Sequence, residues 1–313
     1  MEGWAEGARA IVVGCGGVGG TVIAKLHGAG RHVVAVSGNA EITRSIGARG
    51  LRANVVDGGE KIVRVDVVTK ASTLPPGSYD IAFLAVPPNR LEDAAHDVLP
   101  FLGERGVLVP FANGLPEERL AAKHGAQRVV GGIVGFGASM LAAGVVEQTS
   151  DGGLTIGRLD GSVDDAVARV ATFARPVAPG DVEVTTNLRG ARWSKLAINC
   201  AISSLGTVGG DRLGALMRHR FVRRLALEIM TEATQVAKAS GVKLEKVSGT
   251  LDLDWISLTD EDRKAVGSPS LLAKHALLLA VGARYRRLRS SMLSAIERGR
   301  TPSVDFLNGE VAL

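Results

Sequence analysis

The chain has few of the residues that would tie it to a disulfide framework, a metal cluster or a membrane. Only two cysteines, Cys15 and Cys200, stand in 313 residues, too few for a disulfide scaffold or a Cys-rich metal site. Aromatic residues make up 4% of the chain, and no apolar run approaches the ~20 residues that cross a bilayer. The first six residues carry acids where a signal peptide carries basic and apolar ones. We therefore expect a cytoplasmic protein with no metal and no membrane partner.

The charge of the chain leaves its partner open. The formal net charge is +5, and the arginines are densest near the C-terminus, with only Tyr285 between them. Because stacking on nucleic-acid bases needs more aromatic surface, we expect no nucleic-acid partner. A solvated helix face and a site for phosphate or carboxylate both remain open. The arginines are Arg284, Arg286, Arg287, Arg289, Arg298 and Arg300.

A glycine-rich turn near the N-terminus carries the clearest functional signal. The apolar run 10–13 is typical of a buried strand, and three glycines on G-x-G-x-x-G spacing follow it before a helical pattern begins. The spacing permits a tight turn, a close approach of backbone to a pyrophosphate, and close packing of helix on strand. With a second strand at 32–36, the pattern predicts a dinucleotide site rather than an ordinary turn. The predicted cofactor-binding residues are Gly14, Cys15, Gly16, Gly17, Val18 and Gly19.

The end of the second strand favours NADP(H) as the cofactor. An NAD enzyme usually places an acid there to bind the ribose 2′-hydroxyl, but the segment 35–39 contains none. Ser37 and Asn39 can donate hydrogen bonds to a 2′-phosphate, and Arg44 follows about one helical turn later. We therefore predict that Ser37 and Asn39 bind the cofactor.

The rest of the first half predicts an α/β domain with a doubly wound parallel sheet. Asn113 follows the strand predicted at 106–110, at the sheet edge where ligands bind, although an Asn-Gly pair also forms ordinary turns. Further strands are predicted at 51–56, 61–68, 79–86, 129–134, 144–149, 154–157 and 182–185, and helices at 91–99 and 163–173. We expect 144–149 and 154–157 to form an antiparallel hairpin.

The pattern becomes helical after about residue 187, so we predict domains at 1–187 and 188–313. In the helix predicted over 192–203, Lys195, Asn199 and Ser203 lie four residues apart and share a face. Apolar neighbours would lower the pKa of Lys195, which suits a proton donor near neutral pH. The alternative is a lysine whose stem packs while its ammonium group reaches water.

The stretch 243–269 contains a group of acids without partners for a metal. No histidine ligand or calcium-loop spacing accompanies Asp252, Asp254, Asp260 and Asp262. We therefore interpret these four residues as acids at a solvated helix start.

Several strings of residues over most of the chain occur in the order typical of one family. They are the glycine loop, 80–86, 113–115 with 117–120, 131–134, 144–146, 193–199, 290–293, 297–300 and 304–309. The sequence resembles the ketopantoate reductases (2-dehydropantoate 2-reductases). The resemblance implies a Rossmann-type domain followed by an all-helical domain of the 6-phosphogluconate-dehydrogenase-like type.

The resemblance also implies an activity and roles for individual residues. The activity is NADPH-dependent reduction of a 2-keto acid to the 2-hydroxy acid, with a homodimer left open. Lys195 matches the family's proton donor, and Asn199 matches a substrate ligand. Asn113 matches an asparagine that touches cofactor and substrate, and Ser291 a serine that binds the substrate carboxylate. Ala138, or its neighbour Gly137, matches a position where backbone lines the cofactor site.

Departures from the family's pattern leave the substrate open. Pro87 replaces a usual lysine, Leu213 an asparagine, and Ser303 a site glutamate. Ser203 stands in for a substrate-contacting asparagine and is kept as a predicted substrate ligand, while Asn39 replaces the usual 2′-phosphate arginine. The family's last helix is also expected to be missing. A reductase for a different carbonyl or imine, and a non-catalytic NADP-binding sensor, therefore remain alternatives.

Overall fold

The computed structural model describes residues 2–56, 58–246, 251–264 and 267–313. The chain divides into two compact units, Met1–Leu188 and Arg189–Leu313. Among the described residues, all the strands lie in the first unit and the second unit is helical.

The first unit is built from twelve strands and six α-helices. The strands are β1 (Arg9–Val13), β2 (His32–Val36), β3 (Leu51–Val55), β4 (Gly59–Val63), β5 (Asp66–Val68), β6 (Tyr79–Leu84), β7 (Leu102–Pro110), β8 (Gly131–Val134), β9 (Gly137–Ala142), β10 (Val145–Ser150), β11 (Leu154–Gly157) and β12 (Val182–Thr185). The helices are α1 (Glu2–Gly7), α2 (Gly17–Gly28), α3 (Ala40–Arg49), α4 (Leu91–Val98), α5 (Pro116–His124) and α6 (Asp165–Ala174).

The main sheet is parallel and doubly wound, as predicted. Its strand order is β5-β2-β1-β6-β7, so the chain adds strands on one side of β1 and then on the other. Ile11 and Val12 of β1 are both 0% exposed and belong to the cores on opposite faces of the sheet. Helices α2 and α6 cover one face, and α4 and α5 cover the other. A strand buried on both faces needs a continuous apolar sequence, which explains the run at 10–13.

Two smaller sheets complete the first unit, with orders β4-β3-β10-β9 and β12-β11-β8. The predicted hairpin of 144–149 with 154–157 is wrong. Strand β10 pairs with β9 and β3, whereas β11 pairs with β8 and β12. The hairpin that does form joins β9 to β10 through Gly144, whose φ of +74° suits glycine.

Close backbone contacts explain why β10 and β11 belong to different sheets. A Cβ on Gly152 would lie 2.4 Å from the Gly135 carbonyl, and the Gly135 N–H donates to the Gly153 carbonyl at 2.8 Å. Backbone contact with Gly135 therefore takes the chain away from β10. The predicted strand 61–68 is likewise interrupted, since β4 pairs with β3 and β5 joins the main sheet.

The second unit is helical in its described residues. Its helices are α7 (Leu188–Val208), α8 (Leu213–Leu216), α9 (Arg220–Ala239), α10 (Leu253–Ile256), α11 (Asp260–Arg263), α12 (Pro269–Arg284), α13 (Ser291–Glu297) and α14 (Asn308–Ala312), the first of which begins on the last residue of the first unit. Side chains from α7, α8, α9, α10 and α12 form one apolar core.

One of the four acids assigned to a solvated helix start is buried. Asp252 caps α10 and Asp260 stands exposed in α11, but Asp262 is 0% exposed. Its carboxylate accepts a hydrogen bond from the Lys274 ammonium at 2.6 Å, and Lys274 is itself 1% exposed. The sequence signal that could have identified this pair is a lysine, Lys274, within the otherwise apolar pattern of helix α12.

No helix within the described ranges is long and apolar enough to span a bilayer. Over the same residues, no three His, Cys, Asp or Glu side chains are grouped so that they could hold a metal ion.

Candidate cofactor and substrate sites

The turn after β1 has no room for side chains at two of its glycines. Gly14 has φ of +98°, and a Cβ there would lie 2.4 Å from the carbonyl oxygen of Ala85, just beyond β6. A Cβ on Gly19 would lie 1.8 Å from the Gly14 carbonyl oxygen. Glycine is therefore required for the turn and for the approach of α2 to the strand ends.

The start of α2 is open where an anion would bind. Gly16 is the N-cap residue and makes no side-chain cap, and a Cβ on it would meet nothing within 4 Å. The first turn of α2 contains no acid. The N–H groups at a helix start attract an anion, so this glycine turn fits the pyrophosphate of a dinucleotide.

Strand β9 lies beside the same helix start. A Cβ on Gly17 would lie 2.6 Å from both the carbonyl carbon and the carbonyl oxygen of Ala138. The structure therefore brings the backbone of Ala138 against the glycine turn. Val18 follows and is partly buried against the core of the first unit.

The side chain of Cys15 is turned into the core. The residue is 2% exposed, and its Sγ lies 3.8 Å from the Val36 carbonyl oxygen. Burial raises the pKa of the Cys15 thiol to about 12. The thiol is therefore neutral at physiological pH, and backbone is the part of Cys15 that a ligand could use.

The loop after β2 is held in place by hydrogen bonds. Ser37 is 5% exposed, its N–H donates to the Val68 carbonyl at 2.9 Å, and its own carbonyl accepts from Thr43 Oγ1 at 3.0 Å. Asn39 caps α3, because its Oδ1 accepts from the N–H groups of Glu41 and Ile42 at 2.9 and 3.2 Å. The cap leaves the exposed amide nitrogen of Asn39 as its donor toward a ligand.

Asn113 lies at the carboxyl edge of the main sheet, three residues after β7. The Phe111 N–H donates to the Leu84 carbonyl at 3.0 Å, which ties this loop to the end of β6. Asn113 itself is half-buried. In an open parallel sheet, ligands bind at this edge where the strand order reverses, here between β1 and β6.

The three predicted residues of α7 share one half-buried face. Lys195, Asn199 and Ser203 are partly exposed, whereas Leu196, Cys200 and their apolar neighbours are buried. Burial raises the pKa of the Cys200 thiol to about 12, so this thiol is protonated at physiological pH. The helix is therefore amphipathic, with its polar stripe where the sequence predicts it.

The side-chain amide of Asn199 has a buried hydrogen-bond donor that is not satisfied. Its Nδ2 is inaccessible to water and finds no hydrogen-bond partner among the described residues. A buried donor left unpaired costs about 1–3 kcal/mol, and native structures rarely leave one without a reason. Beside Lys195, this donor fits a carbonyl or carboxylate oxygen of a substrate.

Ser290, which the sequence did not single out, contacts α7, whereas the predicted Ser291 is exposed. Ser290 Oγ donates to the Ser203 carbonyl at 2.9 Å, lies 2.8 Å from Thr207 Oγ1 and caps α13. A serine directly before a helical pattern is an N-cap signal that could have identified it.

Asn308 also contacts α7 without having been predicted. Its Oδ1 accepts from Ser204 Oγ at 2.7 Å, and its Nδ2 donates to the Cys200 carbonyl at 3.4 Å. This side chain ties α14 to the turn of α7 that follows Asn199.

The departures from the family pattern lie in different environments. Leu213 is 3% exposed and belongs to the core of the second unit. Pro87 is exposed, and Ser303 is partly exposed before the 3-10 turn Val304–Phe306. At Leu213 the change therefore acts through packing.

Comparison with known proteins identifies the family. The model of "Ketopantoate reductase PanE/ApbA" matches residues 10–161, and that of its C-terminal domain matches residues 187–313. The chain belongs to the ketopantoate reductase family. Members of this family are nicotinamide-dependent oxidoreductases that act on a CH–OH group.

Relatives from this family match nearly the whole chain. The 2-dehydropantoate 2-reductase of Pyrococcus horikoshii is 26% identical over 302 residues, which cover 96% of this chain and 88% of that protein. D-mandelate dehydrogenase, solved with NADH and anilino(oxo)acetate, has a TM-score of 0.80 at 19% identity, covering 97% of this chain and 91% of the other. A dimeric ketopantoate reductase of Staphylococcus aureus has a TM-score of 0.71 at 15% identity, covering 97% and 90%. At these identities the two structures support the fold alone.

Proposed function

We propose that this protein reduces a 2-keto acid, 2-dehydropantoate or a related compound, to the 2-hydroxy acid with NADPH. The observation that carries the proposal is the unpaired, buried amide of Asn199 on the same helix face as Lys195. Acting on 2-dehydropantoate would assign the protein to pantothenate biosynthesis.

Each predicted residue then has a definite task. NADPH supplies the hydride when it is bound by the glycine turn. Lys195 donates a proton to the carbonyl oxygen of the substrate, on which negative charge would otherwise develop. Asn199 donates a hydrogen bond from its amide to a substrate oxygen and orients the keto acid.

The remaining predicted ligands have supporting tasks. Asn113 binds both cofactor and substrate. Ser203 binds the substrate, and Ser291 binds the carboxylate group of the substrate.

The preference for NADPH over NADH is part of the proposal. It is supported by the absence of an acid after β2 and by two donors there, Ser37 and the amide nitrogen of Asn39. Arg44 is exposed on α3 about one turn later and adds positive charge. Because the D-mandelate dehydrogenase neighbour was solved with NADH, the preference of this protein for NADPH over NADH has to be measured.

Steady-state kinetics with Lys195→Met test the assignment. We expect the rate of NADPH oxidation with the best keto acid to fall about 10²- to 10⁴-fold, the usual contribution of general acid catalysis, while the NADPH dissociation constant stays unchanged. Lys238→Met is the matched control, since that lysine is exposed in α9 and pairs with Asp254. An unimpaired Lys195→Met enzyme, or no turnover of any keto acid by the native enzyme, would refute the proposal.

A second candidate is a reductase of the same family for a different carbonyl or imine. It is favoured by Ser303 and Pro87, which remove a glutamate and a lysine from positions where the family has charge. Comparing kcat/KM for 2-dehydropantoate with that for other keto acids and imines decides between the two. If 2-dehydropantoate is turned over as fast as the best alternative, this second candidate is wrong. Binding of NADPH without oxidation under any substrate would instead support a sensor.

A further inference from the structure

Helix α3 and the β9–β10 hairpin enclose a cavity in the first unit. The cavity has two adjoining lobes of about 280 and 370 Å³, and sites for small molecules begin at about 300 Å³. Glu41, Ser45, Arg49 and Ala143 line both lobes. The cavity is therefore large enough for a small metabolite, and it contains charged side chains that could select one.

The cavity lies along one face of α3. Glu41, Ser45 and Arg49 follow one another at intervals of four residues, which places them on the same side of the helix. Arg49 comes ten residues after Asn39, the N-cap of α3 that is proposed to bind the cofactor, and ten helical residues rise about 15 Å. The Arg49 end of the cavity is therefore separate from the loop proposed to bind the 2′-phosphate.

Hydrogen bonds hold the two walls of the cavity together. Ser45 Oγ donates to the Ala143 carbonyl at 2.6 Å, and the backbone N–H of Arg52 donates to the Gly144 carbonyl at 2.9 Å. A Cβ on Gly144 would lie 2.7 Å from Ser45 Oγ, so glycine allows the hairpin to approach α3 this closely. The cavity is therefore built into the fold of the first unit.

Arg49 is positioned in the cavity without a counter-charge. Its Nη2 donates to Ser45 Oγ at 2.9 Å, and it forms no ion pair with any carboxylate of the described residues. Arg52 lines the first lobe but is paired, since its Nε donates to Glu60 at 2.9 Å. Arg44, which adds charge at the proposed cofactor site, lines only the second lobe. Arg49 is therefore the arginine that could bind a carboxylate in both lobes.

Glu41 supplies a negative charge at the other end of the same face. It is exposed and has no ion-pair partner within the described ranges. Helix α3 rises about 6 Å over the four residues from Glu41 to Ser45, where the Arg49 guanidinium is held. A carboxylate and a hydroxyl or ammonium group on the adjacent carbon span this separation, with a hydrogen bond of about 2.9 Å at each end. A phosphate would instead bring a second negative charge toward Glu41.

We propose that this cavity binds a small aliphatic acid with a hydroxyl or an ammonium group on the carbon next to its carboxylate. The carboxylate accepts hydrogen bonds from Arg49, and the hydroxyl or ammonium group donates to Glu41. The alkyl group lies against Ala48, Ala142 and Val145, which line the lobes. The proposal does not depend on the reaction proposed above, because its ligand contacts are made by residues other than the proposed catalytic ones.

Isothermal titration calorimetry with three acids of one carbon skeleton tests the class of ligand. L-valine carries the ammonium group, L-2-hydroxyisovalerate carries the hydroxyl group, and isovalerate carries neither. We expect L-valine or L-2-hydroxyisovalerate to bind the native protein with a dissociation constant below about 1 mM, and isovalerate to bind about 10-fold or more weakly. No binding of the first two acids, or equal binding of isovalerate, would overturn the proposal.

Replacing Glu41 distinguishes the two kinds of acid. Glu41→Gln removes the charge that attracts an ammonium group but keeps an oxygen that accepts from a hydroxyl group. We expect this variant to bind L-valine about 10-fold or more weakly than the native protein does, and to lose less affinity for L-2-hydroxyisovalerate. Native affinity of Glu41→Gln for both acids would show that Glu41 is not a contact and would contradict the proposed arrangement.

Replacing Arg49 tests the place of binding. Arg49→Gln should weaken the binding of either acid by about 10-fold or more, because a charge-assisted hydrogen bond to the carboxylate is lost. Arg105→Gln is the matched control, since Arg105 is exposed on β7, and it should bind like the native protein. The melting temperatures of both variants separate a loss of binding from a loss of folding. An Arg49→Gln protein with native affinity would show that the acids bind elsewhere, the proposed catalytic site included.

A steric variant tests the same cavity without changing a charge. Ala48→Phe fills part of the second lobe, and Ala122→Phe places the same ring at an exposed position of α5. We expect affinity for the acids to fall about 10-fold or more in the first variant alone. Inorganic phosphate is titrated in parallel. Phosphate binding that requires Arg49, with no binding of either acid, would show a simple anion site and refute the proposed ligand class.

Discussion

Gly16 and Gly17 are adjacent in the chain and have different reasons for being glycine. A side chain on Gly16 would project into open space, whereas one on Gly17 would collide with the Ala138 backbone. The fold therefore requires glycine at position 17 but not at position 16, where the proposed reason for glycine is the cofactor.

This difference predicts opposite results for two alanine substitutions. Gly16→Ala should melt close to the native temperature but bind NADPH at least ~10-fold more weakly, because its methyl group occupies the space for the pyrophosphate. Gly17→Ala should lower the melting temperature, because overpacking costs about 1–3 kcal/mol. Differential scanning fluorimetry with and without NADPH measures both. Equal NADPH affinity in Gly16→Ala and the native protein would contradict binding at this turn.

Asn39 allows the cofactor preference to be tested without disturbing α3. Asp caps a helix as well as Asn does, so Asn39→Asp should keep the hydrogen bonds to Glu41 and Ile42. The new carboxylate would repel a 2′-phosphate, and it would accept a hydrogen bond from a ribose hydroxyl. We expect the ratio of kcat/KM for NADPH to that for NADH to fall by about 10-fold or more. Asn39→Ser, a neutral cap, should leave the ratio above that of Asn39→Asp.

At the scale of elements, the pair Asp262–Lys274 joins α11 to α12. Burial alone would raise the pKa of Asp262, but hydrogen bonds from Lys274 and Ser268 outweigh it and hold the pKa below its usual range. A carboxyl group with a depressed pKa stabilises the fold above its unfolded pKa of about 3.9 and loses that contribution as the pH falls.

Breaking the pair on one side should therefore be costly and pH-dependent. Asp262→Asn leaves Lys274 buried without its counter-charge, and we expect a loss of about 3–5 kcal/mol in the free energy of unfolding near neutral pH. The difference from the native protein should shrink below about pH 4, where Asp262 itself becomes protonated. Urea denaturation across this range measures it. The double variant with Lys274→Met should recover part of the loss; full additivity of the two losses would show that the residues act independently.

The elements that sequence predicted best are those whose pattern is local. The run at 10–13, the glycine spacing and the face of Lys195, Asn199 and Ser203 each fix a strand, a turn or a helix by themselves. The sheet assignment of 144–157 failed because pairing is decided by contacts with Gly135 and β3, which are distant in sequence. The prediction of a solvated Asp262 failed for the same reason, because its partner Lys274 lies outside the acidic stretch 243–269.

The candidate site divides in the same way. Sequence located the glycine turn and the polar stripe of α7, but it did not single out Ser290, which contacts Ser203 and Thr207; Ser291 stays a predicted substrate ligand. Which of two adjacent serines faces α7 depends on the start of α13, and helix boundaries are the least reliable part of a pattern.

For the molecule as a whole, the two units have separate cores, and this predicts separate responses to mutation. Leu227, 0% exposed, belongs to the core of the helical unit, and Leu84, also 0% exposed, to the α/β unit. Replacing either leucine by alanine should lower the free energy of unfolding by about 2–5 kcal/mol. We expect Leu227→Ala to keep the native dissociation constant for NADPH, measured by fluorescence titration, and to lower the unfolding midpoint of its own unit. An equal loss of NADPH affinity in Leu84→Ala and Leu227→Ala would contradict this independence.

The two cysteine thiols can report how often each unit opens transiently. One sulfhydryl is enclosed in each unit, and both are protonated at physiological pH. A chromogenic disulfide reagent should therefore modify them only during transient openings, so the kinetics of modification would count how often each unit opens. With Cys200→Ser the signal would come from the α/β unit alone, and with Cys15→Ser from the helical unit.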